Sequence, residues 1–346
     1  MIAAKIKGVF PVLSFRLGLT QGLVKLQNVF SPGKKDTFRI LNYHRVNDFN
    51  DPFTIDSVAA ADFENQMRYI SKHYRVLALD DIYDYIAGNR RLPGQCLAVT
   101  FDDGYADNYT FAYPILKKYN LPATIFLTVN CIETQASLWF DQILSAFKAT
   151  HKKRFACPIT EAVFKMDSME EKLHAARIML EQLKKPDNAQ RKKIVPDVLK
   201  ELGISSTKAQ DASNLLTWTR IKEMGHHNVT FGSHTMTHPI LANLPASELD
   251  WELTTSCQVI EQKIDKAVRF FAYPNGKPRD FNESIVQVIK QAGYKAAVTT
   301  VPEINTPDTN PFSWGRYRPW QNKVDHFSLA LFMHGLSVWQ RNTDKL

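Results

Sequence analysis

The stretch Leu97–Gly104, with the sequence LAVTFDDG, most constrains the fold, because an apolar run leads directly into two adjacent carboxylates and a glycine. A continuous run of apolar and β-branched residues is typical of a strand buried in a parallel sheet. The glycine allows a sharp turn where the strand ends. Parallel α/β folds carry active sites at the carboxyl ends of their strands, so Asp102 and Asp103 are candidate functional residues. Asp-Asp-Gly is also ordinary turn chemistry, and this stretch alone leaves both interpretations open.

Strand-like and helix-like segments alternate through most of the chain. Phe38–Tyr43 and Leu121–Val129 are predicted as further strands, with helical periodicity between the strands, which indicates βαβ units and a parallel sheet. About six or seven such repeats fit a closed or partly closed barrel better than an open sheet. We therefore predict an α/β fold with a (β/α) barrel over residues 37–322 and a C-terminal helix over residues 323–346.

The alternation stops at about residues 131–216. A capping box at Ser168–Glu171 predicts a helix that runs to about Lys184, and a second helix is predicted over residues 187–202. This segment is rich in lysine and glutamate and contains little that suggests catalysis. We predict a helical insertion that covers or shapes one side of the site.

Composition narrows the class of protein. The chain has 346 residues, of which 44% are hydrophobic and 23% charged, as expected of a globular protein. Its net charge of +8 suits an acidic partner surface, and because no nucleic-acid-binding motif is visible, we expect a membrane surface and no nucleic acid. The four cysteines are scattered without a CxxC pair, which argues against a zinc cage or a disulfide framework.

The N-terminal segment, residues 1–36, is basic and contains no acidic residue before Asp36. It has no uncharged run near the about 20 residues that span a bilayer. A basic amphipathic segment lying on a membrane surface is one interpretation, and an ordinary pair of helices packed on the domain is the other. We expect a peripheral protein of the cytoplasm or the cytoplasmic face of the membrane, and an exported location stays open.

A second polar cluster, His234 and His238 in the sequence FGSHTMTHP, follows another predicted strand. Two histidines four residues apart can contact one ion if the residues between them form a helical turn. One carboxylate of the Asp102–Asp103 pair would complete a set of two histidines and a carboxylate with an open position for water. Sites of this kind lower the pKa of bound water to about 7 and polarise a carbonyl group.

Three motifs, in the order T-F-D-D-G, H-T-x-x-H and Y-P-x-G, resemble those of the polysaccharide deacetylases, the NodB-homology group of carbohydrate esterase family four. The resemblance extends over about Phe38–Trp320 without the insertion. It implies a distorted (β/α) barrel and the metal-dependent hydrolysis of an N-acetyl group, or occasionally an O-acetyl group, on a sugar. The implied metal is a divalent ion, with zinc expected first, although the ligand set tolerates cobalt, nickel and manganese.

The resemblance also implies roles for particular residues. Asp103, His234 and His238 would bind the metal, and Asp102 would be the general base. The division is physically reasonable, because a carboxylate that is not bound to the cation remains free to accept a proton from water.

The resemblance also implies that residues of the third motif bind the substrate. A backbone N–H of the Pro274–Gly276 turn, with Asn275 as the candidate, would donate to the tetrahedral oxyanion, and Tyr273 precedes this turn. A plain turn at a strand end is the alternative. Aromatic residues near the predicted rim could stack on sugar faces or pack in the core; these are Tyr105, Trp139, Trp218 and Trp314.

One departure from the family pattern concerns an arginine. The familiar third motif is R-x-P-x-G, whose arginine holds the catalytic aspartate, but the matching position is Ala272. The segment NPFSWGR, ending at Arg316, resembles one in relatives with the F-A-Y-P-x-G variant. We predict that Arg316 takes over this task, with Arg318 as a weaker second; basic residues exposed near a binding groove are the alternative.

A second departure concerns the general acid. Many relatives supply it from a C-terminal strand, which His334 resembles superficially, but Phe327–Val338 has helical periodicity. A circularly rearranged branch supplies it from a Tyr-His pair on the first strand, and the sequence NYHRV matches that pattern. We therefore favour His44 over His334, since a histidine can hand a proton to the leaving amine near neutral pH.

The predicted substrate is an N-acetylated sugar of a surface polysaccharide or of its lipid-linked precursor. The basic N-terminal segment suggests the lipid-linked form. Two alternatives stay open: a related hydrolase that removes a formyl group or an acetyl ester, and a catalytically silent glycan-binding relative. The complete set of Asp102, Asp103, His234 and His238 argues against the silent relative, because a binding module needs no general base.

Overall fold

The computed structural model describes residues 36–49, 51–54, 56–205, 215–321 and 323–331. All but the last residue of the predicted N-terminal segment and most of the predicted C-terminal helix, with His334, therefore lie outside the described residues. Residues 324–331 are helical, in agreement with the start of that helix. Among the described residues, no helix combines the length and the apolar character needed to cross a membrane.

The strands and helices of the described residues follow the predicted alternation. The strands are β1 (Phe38–Tyr43), β2 (Arg45–Val46), β3 (Ser57–Val58), β4 (Arg75–Val76), β5 (Cys96–Phe101), β6 (Ala123–Leu127), β7 (Arg154–Ala156), β8 (Val163–Lys165), β9 (Val229–Ser233), β10 (Phe270–Ala272) and β11 (Ala296–Val298). The α-helices are α1 (Ala60–His73), α2 (Leu79–Ala87), α3 (Tyr113–Lys118), α4 (Val129–Thr134), α5 (Trp139–Ala149), α6 (Met169–Leu183), α7 (Asn188–Glu201), α8 (Trp218–Met224), α9 (Ala246–Asp250), α10 (Ser256–Ile264) and α11 (Glu283–Gln291).

The main sheet is parallel, with the strand order β1-β5-β6-β9-β10-β11, and β4 pairs with the start of β5. A segment without strand assignment lies between β11 and β1. Trp314 bridges Val298 of β11, and Tyr317 bridges Leu41 of β1. Because this segment, residues 314–317, bonds to strands on both sides, the curled sheet closes, and the predicted (β/α) barrel is confirmed.

Strand β5 is buried along its whole length, which explains its continuous apolar sequence. Alternate residues of a strand face opposite sides of the sheet. Leu97, Val99 and Phe101 belong to the core between the sheet and the surrounding helices, whereas Cys96 and Ala98 belong to the core inside the barrel. Both faces of β5 are therefore fixed by packing, and this fixes the position of the residues that follow the strand.

The insertion has a hydrophobic core of its own, built mainly from α5, α6 and α7. The capping box predicted at Ser168 is present, since Ser168 accepts from the Glu171 backbone and the Glu171 side chain accepts from the Ser168 backbone. The antiparallel hairpin β7–β8 was not predicted. Its strands have three residues each and are half exposed, so they carry no sustained alternation of apolar and polar residues.

The sequence predicts one long helix over residues 247–267 with Ser247 as its N-cap. The structure instead begins α9 after Pro245, and a π-helical turn at Trp251–Thr255 separates α9 from α10. The prediction of the cap was therefore wrong. A π-helical turn adds one residue per turn and changes which side chains face inward, and such turns occur frequently at functional sites.

Candidate functional site

The turn after β5 places the two aspartates at the carboxyl end of the barrel. The Asp102 backbone N–H donates to the Tyr43 carbonyl at 3.0 Å, so Asp102 continues the pairing with β1. Asp103 and Gly104 then take left-handed backbone conformations with φ of 72° and 79°. Such a conformation is uncommon for a residue other than glycine, and strained residues of this kind cluster at functional sites. Both aspartate side chains are almost fully buried.

Asp103, His234 and His238 form a compact cluster. The Asp103 Oδ1 atom lies 3.6 Å from His234 Nε2 and 3.5 Å from His238 Nε2. One ligand atom from each residue lies within 4.8 Å of the others. The buried Asp103 Oδ1 atom has no hydrogen-bond partner within the described part of the chain. A buried carboxylate oxygen without a partner, facing two imidazoles, fits a divalent cation.

The loop between the two histidines differs from the predicted helical turn. Thr235 and His238 have positive φ of 71° and 55°, and residues 234–238 form no helical turn. The Thr235 hydroxyl accepts from the His238 backbone N–H at 2.9 Å and fixes the loop. The two imidazoles therefore meet as predicted, but by a different backbone path.

The protonation of the cluster also favours a cation. Burial lowers the pKa of His234 to about 4 and the pKa of His238 well below its ordinary value, so both imidazoles are neutral at pH 7. Neutral imidazole is the form that binds metals. His234 Nδ1 lies 2.7 Å from the Ala272 carbonyl, which makes Nδ1 the donor and leaves Nε2 free as a ligand. Burial and the adjacent Asp102 raise the pKa of Asp103, which means that the ionised form of Asp103 is disfavoured. A bound cation would offset this cost of ionisation.

Arg316 holds Asp102 in a bidentate ion pair. Its Nη1 and Nη2 atoms donate to the two carboxylate oxygens at 2.7 Å each. Its Nε atom donates to the Thr299 carbonyl at 2.8 Å, and the guanidinium is fully buried. Burial alone would raise the pKa of Asp102, but the Arg316 charge outweighs it, so the pKa lies well below the ordinary value. The ion pair with Arg316 therefore favours the ionised form of Asp102 at neutral pH.

Arg318, the weaker candidate, has a different partner. It pairs with Asp56 and is half exposed at the cleft. Arg316 thus pairs with Asp102, while Arg318 lines the entrance, and the catalytic roles assigned to Asp102 and Arg316 stay predictions.

His44 lies on the other side of Asp102, after β1. Its Nε2 atom is 3.8 Å from Asp102 Oδ2, and its side chain is 19% exposed toward the cleft. Burial lowers the pKa of His44, while the carboxylates of Asp56 and Asp102 act in the opposite direction. Its position suits proton transfer to a group bound in the cleft. The competing His334 lies outside the described residues.

The third motif divides into one residue at the cleft and one in the core. Asn275 lines the cleft with a left-handed φ of 59°, and its side-chain Nδ2 has no partner among the residues described. Tyr273 does not reach the cleft, so its prediction as a substrate contact was wrong. Its ring stacks on Phe281, and its hydroxyl donates to the Phe312 carbonyl at 2.9 Å.

Trp314, also predicted to contact substrate, is 1% exposed inside the barrel, where its ring packs edge-on against Phe38 at 5.1 Å. That prediction was wrong as well. Among the other aromatic candidates, Tyr105 and Trp139 line the cleft and Trp218 is not among its lining residues. The sequence alone cannot separate these cases, because a shift of one residue along a strand exchanges the two faces.

The cluster opens into a cleft of about 370 Å³. Helices of the insertion form part of its wall, as predicted for a segment that shapes one side of the site. The lining residues contributed by the insertion are Trp139, Phe140, Leu180 and Lys184. Lys277, after the Pro274–Gly276 turn, lies on the lining with them and was not predicted.

Glu252 is a further residue that the sequence analysis missed. It is 1% exposed and lies in the π-helical turn. Its Oε2 atom accepts from the backbone N–H groups of Met236 and Thr237 at 2.8 and 2.9 Å. Glu252 thus supports the loop between the two histidines. This role depends on a tertiary contact, so the sequence alone does not show it.

Comparison with known proteins identifies the family of the chain. The family model described as polysaccharide deacetylase matches residues 89–163 and 185–297, more than half of the chain. YxkH of Bacillus subtilis, which carries the name of a polysaccharide deacetylase, is 22% identical over 81% of this chain and 70% of its own length. Poly-β-1,6-N-acetyl-D-glucosamine N-deacetylase of Staphylococcus aureus is 34% identical over 27% of this chain and 37% of its own length.

Solved structures share the fold at low sequence identity. Streptococcus pyogenes deacetylase PplD superimposes with a TM-score of 0.56 at 20% identity, over 82% of this chain and 93% of PplD. IcaB from Ammonifex degensii superimposes with a TM-score of 0.56 at 19% identity, over 85% of this chain and 98% of IcaB. With the family model and the barrel in agreement, the chain belongs to the polysaccharide deacetylase family.

Proposed function

We propose that the protein hydrolyses the N-acetyl group of a sugar in a surface polysaccharide, with a divalent ion held by Asp103, His234 and His238. The observation that carries this proposal is the juxtaposition of that cluster with Asp102, an ionised carboxylate that Arg316 holds beside it. A cation site next to a carboxylate base that does not bind the cation is one arrangement that supports amide hydrolysis. The name of the Staphylococcus aureus relative supports N-acetylglucosamine as the sugar to test first.

The residues divide the proton transfers between them. When bound, the ion would polarise the acetyl carbonyl and make a nearby water more acidic. Asp102 accepts a proton from the water that attacks the carbonyl carbon, and the Asn275 turn faces the oxyanion. As the carbon–nitrogen bond breaks, His44 donates a proton to the leaving nitrogen. The products are acetate and the free amino sugar.

We propose zinc as the ion. Two neutral imidazoles and one carboxylate are a common ligand set for catalytic zinc, which keeps a further position open. Metal analysis of the purified protein, with zinc expected near one equivalent, tests this assignment.

A peripheral position at the cytoplasmic face of the membrane, and a lipid-linked form of the substrate, stay predictions. They depend on the basic and amphipathic sequence of residues 1–36, nearly all of which lie outside the described residues.

Product analysis on a panel of acylated glycans tests the proposed reaction. We expect acetate from oligomers of N-acetylglucosamine. Formate from an N-formyl sugar, or acetate released only from an O-acetyl ester, would instead identify one of the two related hydrolases. Glycan binding without release of any acid by the zinc-loaded protein would identify a silent relative.

His44→Ala is expected to lower kcat by about 10²–10⁴-fold, because the leaving nitrogen loses its proton donor. The exposed His226 serves as the control, and His226→Ala should leave kcat unchanged. Steady-state kinetics of acetate release measure both. A larger loss in His334→Ala than in His44→Ala would assign the acid to the C-terminal segment instead.

A further inference from the structure

The first turn of α5, where the insertion leaves the barrel, contacts both loops that carry the candidate metal ligands. Trp139 Nε1 donates to the His238 carbonyl at 3.1 Å. The Phe140 ring lies 5.1 Å from the His238 ring, centre to centre, in an edge-on arrangement. Asp141 Oδ2 accepts from the Tyr105 hydroxyl at 2.9 Å, and Tyr105 lies two residues after Asp103. Three consecutive residues of the insertion thus join the two loops.

His238 needs such support more than His234 does. The second ring nitrogen of a metal-binding histidine usually bonds to a carbonyl or carboxylate, which fixes the ring. His234 has this partner in the Ala272 carbonyl, whereas the buried His238 Nδ1 has none among the described residues. The His238 ring is instead packed between the rings of His234 and Phe140. Its orientation therefore depends on contacts from the insertion.

The supporting residues are themselves fixed. The Arg191 guanidinium lies 4.9 Å from the centre of the Trp139 ring and is almost fully buried. Arg191 Nη2 donates to Asn188 Oδ1 at 2.6 Å, and Asn188 Nδ2 donates to Glu248 of α9 at 3.0 Å. The first turn of α5 thus packs against α7 of the insertion, and α7 is bonded in turn to α9 of the barrel.

We propose that Trp139, Phe140 and Asp141 are positioning residues that set the place of His238 relative to Asp103. The insertion then does more than line the cleft, because its docking determines the affinity and the coordination geometry of the metal site. This inference rests on the metal site of the proposed function.

The test compares Trp139→Phe with a matched control. Trp139→Phe keeps an aromatic ring beside Arg191 and removes the N–H that binds the His238 carbonyl. Trp218→Phe makes the same change elsewhere: Trp218 is also half-buried, donates to Glu133 at 2.6 Å and packs against Lys263. The readouts are the zinc dissociation constant, from competition with a chromophoric chelator, and the visible spectrum of the cobalt-substituted protein.

We expect Trp139→Phe to weaken zinc binding by about tenfold or more and to shift the cobalt spectrum, as is typical when support for a ligand is lost. Trp218→Phe should match the wild type. Phe140→Leu, which removes the ring beside His238, should shift the cobalt spectrum too. Unchanged zinc affinity and spectra in both Trp139→Phe and Phe140→Leu would overturn the inference, as would an equal loss in Trp218→Phe. A wild-type protein that binds neither zinc nor cobalt would overturn the metal site itself and this inference with it.

Discussion

Replacing Asp102 by asparagine is expected to lower kcat for acetate release by about 10²–10⁴-fold while the zinc content stays that of the wild type. The amide has the shape of the carboxylate but cannot accept a proton from water. Asp102 is not one of the three clustered candidate ligands, so the cation should remain bound. Steady-state kinetics and metal analysis of the same preparation measure both effects.

Asp107 provides the control for this substitution. It is also a buried aspartate that pairs with an arginine, Arg45, at 2.7 Å, and it is not one of the clustered candidate ligands. Both Asp102→Asn and Asp107→Asn break a buried ion pair, so both should lower the free energy of unfolding by about 3–5 kcal/mol. Only Asp102→Asn removes the proposed base. Equal losses of kcat in the two variants, or wild-type kcat in Asp102→Asn, would contradict the assignment.

Arg316→Met is expected to lower the free energy of unfolding at pH 7 by about 3–5 kcal/mol, because it leaves the Asp102 carboxylate buried without its partner. In the wild type the pKa of Asp102 is depressed, so its ion pair stabilises the fold above the unfolded-state pKa, and this contribution is lost only as pH falls through the folded-state value. In Arg316→Met, burial instead raises that pKa. The difference in free energy of unfolding between Arg316→Met and the wild type should therefore shrink as pH falls. The acidic limb of the kcat/KM profile of the variant should move to higher pH.

Arg318→Met is the matched control for Arg316→Met. Arg318 pairs with Asp56 but is half exposed, so its loss should change the free energy of unfolding by less than about 1 kcal/mol. Urea unfolding at several pH values and pH–rate profiles measure these effects. An acidic limb that stays in place in Arg316→Met, or that moves as far in Arg318→Met, would show that Arg316 does not set the ionisation of Asp102.

The elements that the sequence predicts well are those with a local cause. Strand β5 is fully buried, so its apolar run is continuous, and its end is marked by the aspartates and a glycine with positive φ. The cap at Ser168 likewise depends on residues three positions apart. Such features follow from short stretches of sequence, because every partner lies within a turn of the chain.

Features that depend on barrel closure or register are harder to predict. The contact of Arg316 with Asp102 spans 214 residues, and the resemblance of one segment to known relatives, not any periodicity, pointed to it. The erroneous predictions for Tyr273 and Trp314 have the same origin, since strand register decides which face an aromatic residue occupies. The path between His234 and His238 was misjudged because two non-glycine residues take left-handed conformations there.

The contacts by which the insertion supports the His234–His238 loop were the hardest feature to predict. Trp139 could be identified only as one of several aromatic candidates near the rim, because its contact with His238 joins residues 99 positions apart. The packing of α5 against the His234–His238 loop is a property of the assembled core, to which no short pattern corresponds.

Acetate release by protein stripped of metal, before and after addition of one equivalent of Zn²⁺, tests the central claim most directly. The proposed chemistry requires the cation that Asp103, His234 and His238 would hold. We expect the stripped protein to release no acetate from N-acetylglucosamine oligomers, and zinc to restore activity to the wild type but not to Asp103→Ala. Full activity of the stripped protein, or wild-type turnover by Asp103→Ala, would contradict the account.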